Sequence, residues 1–215
     1  MPSLLLLSVN ARLLPVDRAG LTRMIAERRP DLAWVHGSPS LLRWRSISAA
    51  LARNSGLVVV AGGRTSGGNL LLSSLGVDVL STRELTFSDT RGARPPGAAL
   101  AALRLRGSAF LVGAARLGSP AAPFARAAPA ALAATHAAEL QDAFDALVPD
   151  DQPAVLGIDT AGPPAPPDSQ VLRAKPVAVA GVFVEGVFVD PRISVASVNR
   201  IAAGAVELEL ALPET

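Results

Sequence analysis

"DLAWVHGSPS" (31–40) holds a short apolar run, Leu32–Val35, that stops at His36-Gly37-Ser38-Pro39. Consecutive apolar residues followed by Gly and Pro read as a buried strand opening into a loop. In α/β proteins functional groups gather where buried strands end. The flanks obey the same alternation. "SLLLLSV" (3–9) reads as a first strand. Asp17–Arg29 places Leu21, Met24 and Ile25 at helical spacing, with Asp17 to cap its start and Pro30 to stop it. Ser40 begins a second helix through "LLRWRSISAALARN", whose apolar set is Leu41, Leu42, Trp44, Ile47 and Leu51, and "NSG" ends it.

Beyond residue 56 the character changes. "GLVVVAGG" (56–63), "NLLLSSL" (69–75) and "VDVLSTRELTFS" (77–88) are strand-like runs punctuated by glycine, and "RGARPPG" (91–97) reads as a turn. "AALAALRLRG" (98–107) and "SAFLVGAARL" (108–117) predict a hairpin turning at Gly107-Ser108. "AALAAL" alone suits a helix; its neighbours assign it to a strand. A Pro-rich loop (118–129), a helix over 130–147 and a strand "PAVLGI" (153–158) follow. A loop with polyproline character (161–169) leads to the strands "VAVAGVFVEGVFVD" (177–190), "ISVASV" (193–198) and "AVELELAL" (205–212). The order makes two roughly similar halves. Two mixed sheets packed face to face, with helices outside, would bury these near-continuous apolar strands: an α/β (α+β) four-layer αββα sandwich, formed by one domain over 1–215.

Composition narrows the function. The chain lacks cysteine, which removes disulfides, thiolate metal sites and cysteine nucleophiles and suits the cytoplasm. "LLLLSV" is too short to span a bilayer and has no basic region before it, so neither a membrane span nor a signal peptide is expected. Lys175 is the only lysine, and the Ala, Arg, Gly and Pro content points to a GC-rich bacterial genome. The pI near 10.3 overstates a net charge of only +2. Arg23, Arg28, Arg29, Arg43, Arg45 and Arg53 fall on two helices, as solvated faces or as a phosphate-contacting surface. Aromatic residues make up 4% of the chain, too few for base stacking, so specific nucleic-acid binding is not supported.

The order of segments resembles the endonuclease/exonuclease/phosphatase superfamily, the group of exonuclease III and pancreatic deoxyribonuclease. "LLLLSVNAR" resembles the first strand ending in the motif Asn. "RRPDLAWVHGSP" resembles the strand that normally ends in Gln-Glu. "AFLVGAARL" resembles the strand ending Gly-Thr-His, "AVLGIDTAG" the Gly-Asp-x-Asn strand, and "VFVEGVFVDPRISV" the Ile-Asp-x-Val-Phe strand. The resemblance implies an Mg²⁺-dependent phosphodiesterase in which carboxylates hold the ion and His–Asp and Asp–Asn pairs handle phosphate and protons. Transferred position by position, Asn10 and Asp159 are kept and Glu185 preserves a charge. The metal-binding Glu falls on Gly37, the Gln before it on His36, one family His on Arg116, and the Asn after Asp159 on Ala161. The terminal Ser-Asp-His falls in "NRIAAGA" (199–205), which has neither Asp nor His. The resemblance therefore implies the fold and argues against the usual activity.

The candidate site is thus Asn10, His36, Asp159 and Glu185, with Arg116, Arg64 and Asn69 as substrate-binding residues and no metal ligand set. His36 is either a satisfied polar residue at a loop start or a ligand-facing base. Asp159 is a turn cap or a cleft residue. Glu185 needs water or an arginine, and Arg116 is the natural partner. His136 reads as structural. "AGGRTSGG" (61–68) lacks the Walker lysine and reads as a turn; "GSPS" is no nucleophile elbow. Three functions remain open: a pseudoenzyme or scaffold binding a small molecule or protein, a repurposed metal-independent enzyme such as specialised metabolism employs, and a residual metal-dependent phosphoesterase or nuclease. No cofactor is expected; Mg²⁺ has weak support from Asp159 and Glu185.

Overall fold

The computed structural model describes residues 1–11, 17–37, 43–88, 96–117, 129–147, 152–160, 182–184, 187–202 and 204–214. In chain order these form β1 (Ser3–Asn10), α1 (Arg18–Arg28), β2 (Leu32–His36), α2 (Trp44–Asn54), β3 (Val58–Gly62), β4 (Leu70–Ser73), β5 (Val77–Thr86), β6 (Gly97–Leu105), β7 (Ser108–Leu117), α3 (Pro129–Asp145), β8 (Ala154–Thr160), β9 (Val182–Val184), β10 (Val187–Val189), β11 (Ser194–Ala202) and β12 (Ala205–Ala211).

Period-2 alternation sorts the apolar residues into layers. Leu4, Leu6, Leu32, Trp34, Phe110, Val112, Ala114 and Val155 turn inward to a core between two sheets. Their neighbours Leu7, Val9, Ala33 and Val35 turn outward, onto Leu21 and Ile25 of α1 and Leu51 and Ala52 of α2. On the other side Leu111, Ala115, Leu156 and Ile158 pack on Leu140, Ala143 and Phe144 of α3. The result is the expected αββα sandwich.

The sheets run β11-β12-β1-β2-β4-β3 and β5-β6-β7-β8-β10-β9. They share one wiring. In each, an antiparallel run of three strands leads through a helix to a parallel neighbour (β1 to β2, β7 to β8), and an antiparallel pair completes the sheet with its later strand inside. The predicted similarity of the halves is therefore a similarity of topology.

Local signals mostly act as expected. The Asp17 carboxylate accepts from Gly20 N–H at 2.8 Å at the start of α1, and Arg29, left-handed at φ 48°, ends it before Pro30. "AALAA" is a strand, fully buried between β5 and β7. Three boundaries differ. The hairpin turn is Arg106-Gly107, not Gly107-Ser108: Leu105 pairs with Ser108, and both turn residues have positive φ (50° and 92°), as a type I′ turn demands. The described helix after His36 begins at Trp44 rather than Ser40, with 38–42 outside the described residues. The apolar run 177–190 contains two short antiparallel strands, β9 and β10, with Val184 opposite Val187. The predicted turn over 91–95 and the Pro-rich loops over 118–128 and 161–169 lie outside the described residues.

Candidate functional site

The inward-facing rows of β1, β2 and β7 change from apolar to polar at their carboxyl ends, beside the end of β8. Leu4 and Leu6 lead to Ser8 and Asn10; Leu32 and Trp34 lead to His36; Phe110, Val112 and Ala114 lead to Arg116; Val155 leads to Gly157 and the backbone position of Asp159. Register ties them together. Asn10 stands opposite His36 in the β1–β2 pair, and Arg116 opposite Asp159 in the β7–β8 pair. The parallel crossovers create this coincidence, because both strands of each pair end at the same edge.

His36 is 4% exposed. Its Nδ1 lies 2.9 Å from Asn69 Oδ1. Asn69 is fully buried, and its Nδ2 donates to Ser66 O (2.7 Å) and to Gly97 O (3.0 Å). Both amide hydrogens are thus directed at carbonyls, which assigns Oδ1 to the side facing His36. Nδ1 must then carry a hydrogen and donate it. The opposite ring nitrogen faces β8: a Cβ added at Gly157 would lie 3.2 Å from His36 Nε2 and 2.5 Å from Trp34 Cε3. Gly157 is what lets β8 approach this close.

Asn69 also bridges the sheets. It precedes β4 in the first sheet, while Gly97 begins β6 in the second, opposite Arg116. The Gly-rich turn over 62–68 is pinned from both sides. Ser66 Oγ accepts from Gly63 N–H (2.8 Å) and donates to Asn69 O (2.8 Å). Glu84 of β5 accepts from Gly62 N–H (2.8 Å) and from the Thr65 hydroxyl, and Thr86 donates to Thr65 O (2.6 Å). A Cβ at Gly97 would sit 2.9 Å from Thr65 O, so that glycine admits the turn.

The predicted residues divide accordingly. His36 and Asn69 form one buried hydrogen-bonded unit, and Asn69 reaches the strand that pairs with Arg116, itself buried. Asn10 is half-buried, with its N–H donating to Gly204 O at 2.7 Å. Arg64 is exposed on the turn. Asp159 is placed by its backbone register, and Glu185 lies outside the described residues. Gly37, where the resemblance puts the metal-binding Glu, has φ 75°, a left-handed conformation that glycine tolerates. Among the described residues no three His, Cys, Asp or Glu come together as a metal site. His136 is structural: its ring stacks on Phe87 with centroids 4.8 Å apart, and Nε2 lies 3.1 Å from Ser88 O. Gly97, Gly157, Ser66 and Glu84 went unforeseen. Only Ser66 carried a local signal, lying three residues before Asn69 in a Gly-rich turn.

No protein family and no curated protein matches the sequence. Solved structures do match. An endonuclease/exonuclease/phosphatase of Bacteroides vulgatus superimposes with a TM-score of 0.70 at 11% identity, over 99% of this chain and 100% of that one. The chain has the endonuclease/exonuclease/phosphatase fold. The catalytic domain of human Nocturnin is similar with a TM-score of 0.68 at 11% identity, over 99% and 95% of the two chains. A mannosyl-6-phosphatase of Bacteroides thetaiotaomicron gives 0.69 at 14%, over 97% and 100%. At such identities the likeness establishes the fold and leaves the chemistry to the residues.

Proposed function

We propose that residues 1–215 act as one domain that uses this fold as a binding scaffold for a small molecule or protein and has lost Mg²⁺-dependent phosphodiester hydrolysis. The end of β2 carries this reading. Where the resemblance requires Gln-Glu, the chain has His36, buried and committed to Asn69, and then Gly37 in a left-handed conformation. A Glu side chain at Gly37 would be strained as well as new.

Mg²⁺ requires oxygen ligands in near-octahedral array. Three of the four inward positions at this edge, those ending β1, β2 and β7, hold Asn10, His36 and Arg116, so Asp159 of β8 is the one carboxylate among them, which supports a site without the ion. Burial also weighs against His36 as a base, since a substrate proton must come within hydrogen-bond reach of it.

The test is calorimetric titration with Mg²⁺ and Mn²⁺ beside hydrolysis of bis(p-nitrophenyl) phosphate. We expect no saturable metal binding and no metal-dependent turnover. Saturable binding accompanied by metal-dependent turnover overturns the reading.

A further inference from the structure

Charge is distributed unevenly over this fold. Residues 32–77 contain four arginines, Arg43, Arg45, Arg53 and Arg64, and no aspartate or glutamate, in a chain whose formal charge is only +2. The rest of the chain is therefore net negative. This acid-free stretch supplies β2, α2, β3 and β4, a contiguous flank of the first sheet that ends in β3. All four arginines are exposed. Among the described residues none of the four takes part in an ion pair. On β5, Glu84 is already occupied by Gly62 and Thr65, and Asp78 is exposed.

The arginines frame β3. Arg53 lies near the end of α2, which leads into that strand, and Arg64 follows it by two residues. Arg45 reaches the same end, because its guanidinium stacks 5.3 Å from the ring of Trp44, and Trp44 lies against Gly63. Between them stand exposed valines, Val58 at 39% and Val59 at 42%. β3 is the edge of its sheet, β5 is the edge of the other, and the two adjoin. Val79 and Leu80 of β5 and Leu75, 85% exposed, extend the apolar strip.

We propose that this strip docks an extended segment of a partner protein, one that alternates acidic and apolar residues. The proposal rests on the scaffold reading and names its partner class. Charge selects acidic groups: unpaired arginines at both ends of β3 gain most from carboxylates. Edge strands select a polypeptide. Apart from Gly62 N–H, which Glu84 holds, the outward N–H and C=O groups of an edge strand are matched by another backbone and not by lipid tails. The valines select apolar side chains, for which a nucleic-acid backbone offers little. A bulge between Val59 and Ala61 shortens the ladder that β3 can offer, so side chains carry most of the contact.

The test uses the full chain in chelator, with a fluorescent synthetic peptide of alternating glutamate and valine. Comparators are the lysine–valine peptide, a single-stranded DNA oligomer and phosphatidylserine vesicles. The acidic peptide should bind about tenfold or more tighter than the basic one, and less tightly as salt rises. Arg45→Glu and Arg64→Glu should each weaken it about tenfold, and Val59→Ser should weaken it at any salt. Equal binding of both peptides, insensitivity to the arginine changes, or preferential binding of DNA or vesicles overturns the proposal. Because chelator is present, the result is independent of metal-dependent turnover. Hydrolysis with peptide binding sinks only the scaffold reading; neither hydrolysis nor binding sinks only this surface.

Discussion

Trp34 and Gly157 occupy the same place in the two halves of the molecule. Each is the second inward-facing residue of the parallel strand that follows a helical crossover, β2 in one sheet and β8 in the other. The largest fully buried side chain stands opposite no side chain at all. The connections match as closely. Ser74 N–H donates to Asp31 O (2.8 Å) and Val77 N–H to Ser74 O (3.3 Å); in the other half Asp190 N–H donates to Ala154 O (2.9 Å) and Ile193 N–H to Asp190 O (2.9 Å). One backbone plan is thus filled in two ways. The wiring is set by strand order, while packing and charge are set by which residue each half places at shared positions.

The sharpest way to break this complementarity is Gly157→Ala. The new Cβ would meet the Trp34 ring at 2.5 Å, and that ring has no exposed route of escape. Overpacking at such a site should cost about 3 kcal/mol in urea unfolding. Trp34→Leu in the same background should recover most of the loss, a coupling visible in a double-mutant cycle. If Gly157→Ala alone is neutral, the two halves do not meet in this fashion.

Asn69 tests the first half's polar lock, which lacks a charge. Asn69→Ala would remove the Oδ1 acceptor from His36 Nδ1 and the side-chain donors from the carbonyls of Ser66 and Gly97, all in buried surroundings. The expected cost is about 2 kcal/mol, with faster hydrogen exchange at the start of β6. Asn69→Asp should fare no better, because a carboxylate keeps the acceptor and loses both donors. Unchanged exchange at β6 would show that the amide does not join the sheets.

How far this was readable from the sequence depends on the range of each interaction. Strands and helices were legible because burial on both faces leaves near-continuous apolar runs, and Asp17 and Pro30 bound α1 locally. The Arg106-Gly107 turn was missed by one residue, since a non-glycine at positive φ leaves little trace in sequence. His36 and Asn69 were each picked out, yet their pairing spans 33 residues and no local pattern announces it. Gly157 carries no signal inside "PAVLGI", because its reason for being glycine lies on the opposite sheet. The ends of β7 and β8 were matched by motif, and register then set Arg116 opposite Asp159.

The smallest expected effect concerns a connection where the two halves differ in charge. Where the first half uses Ser74, the second uses Asp190, whose carboxylate is held by Arg192 Nη2 at 2.7 Å and by Arg192 Nε at 2.9 Å. Burial pushes the Asp190 carboxyl upward, but hydrogen bonds from the Arg192 side chain and backbone, with its charge, outweigh burial and leave the pKa below its ordinary 3.8. A carboxyl with a folded pKa below its unfolded one stabilises fully above the unfolded value. That contribution fades as pH falls through the lowered folded value. Wild type should therefore lose stability in this acid window, and Asp190→Asn should lose less there while starting about 1 kcal/mol lower at neutral pH. The partly exposed arginine keeps the effect small. Ser74→Asp in the other half, where the chain has Leu75 and Gly76 and no arginine to answer it, should bring no such acid-sensitive gain. Equal acid limbs for wild type and Asp190→Asn would mean that the staple contributes nothing the neutral connection lacks.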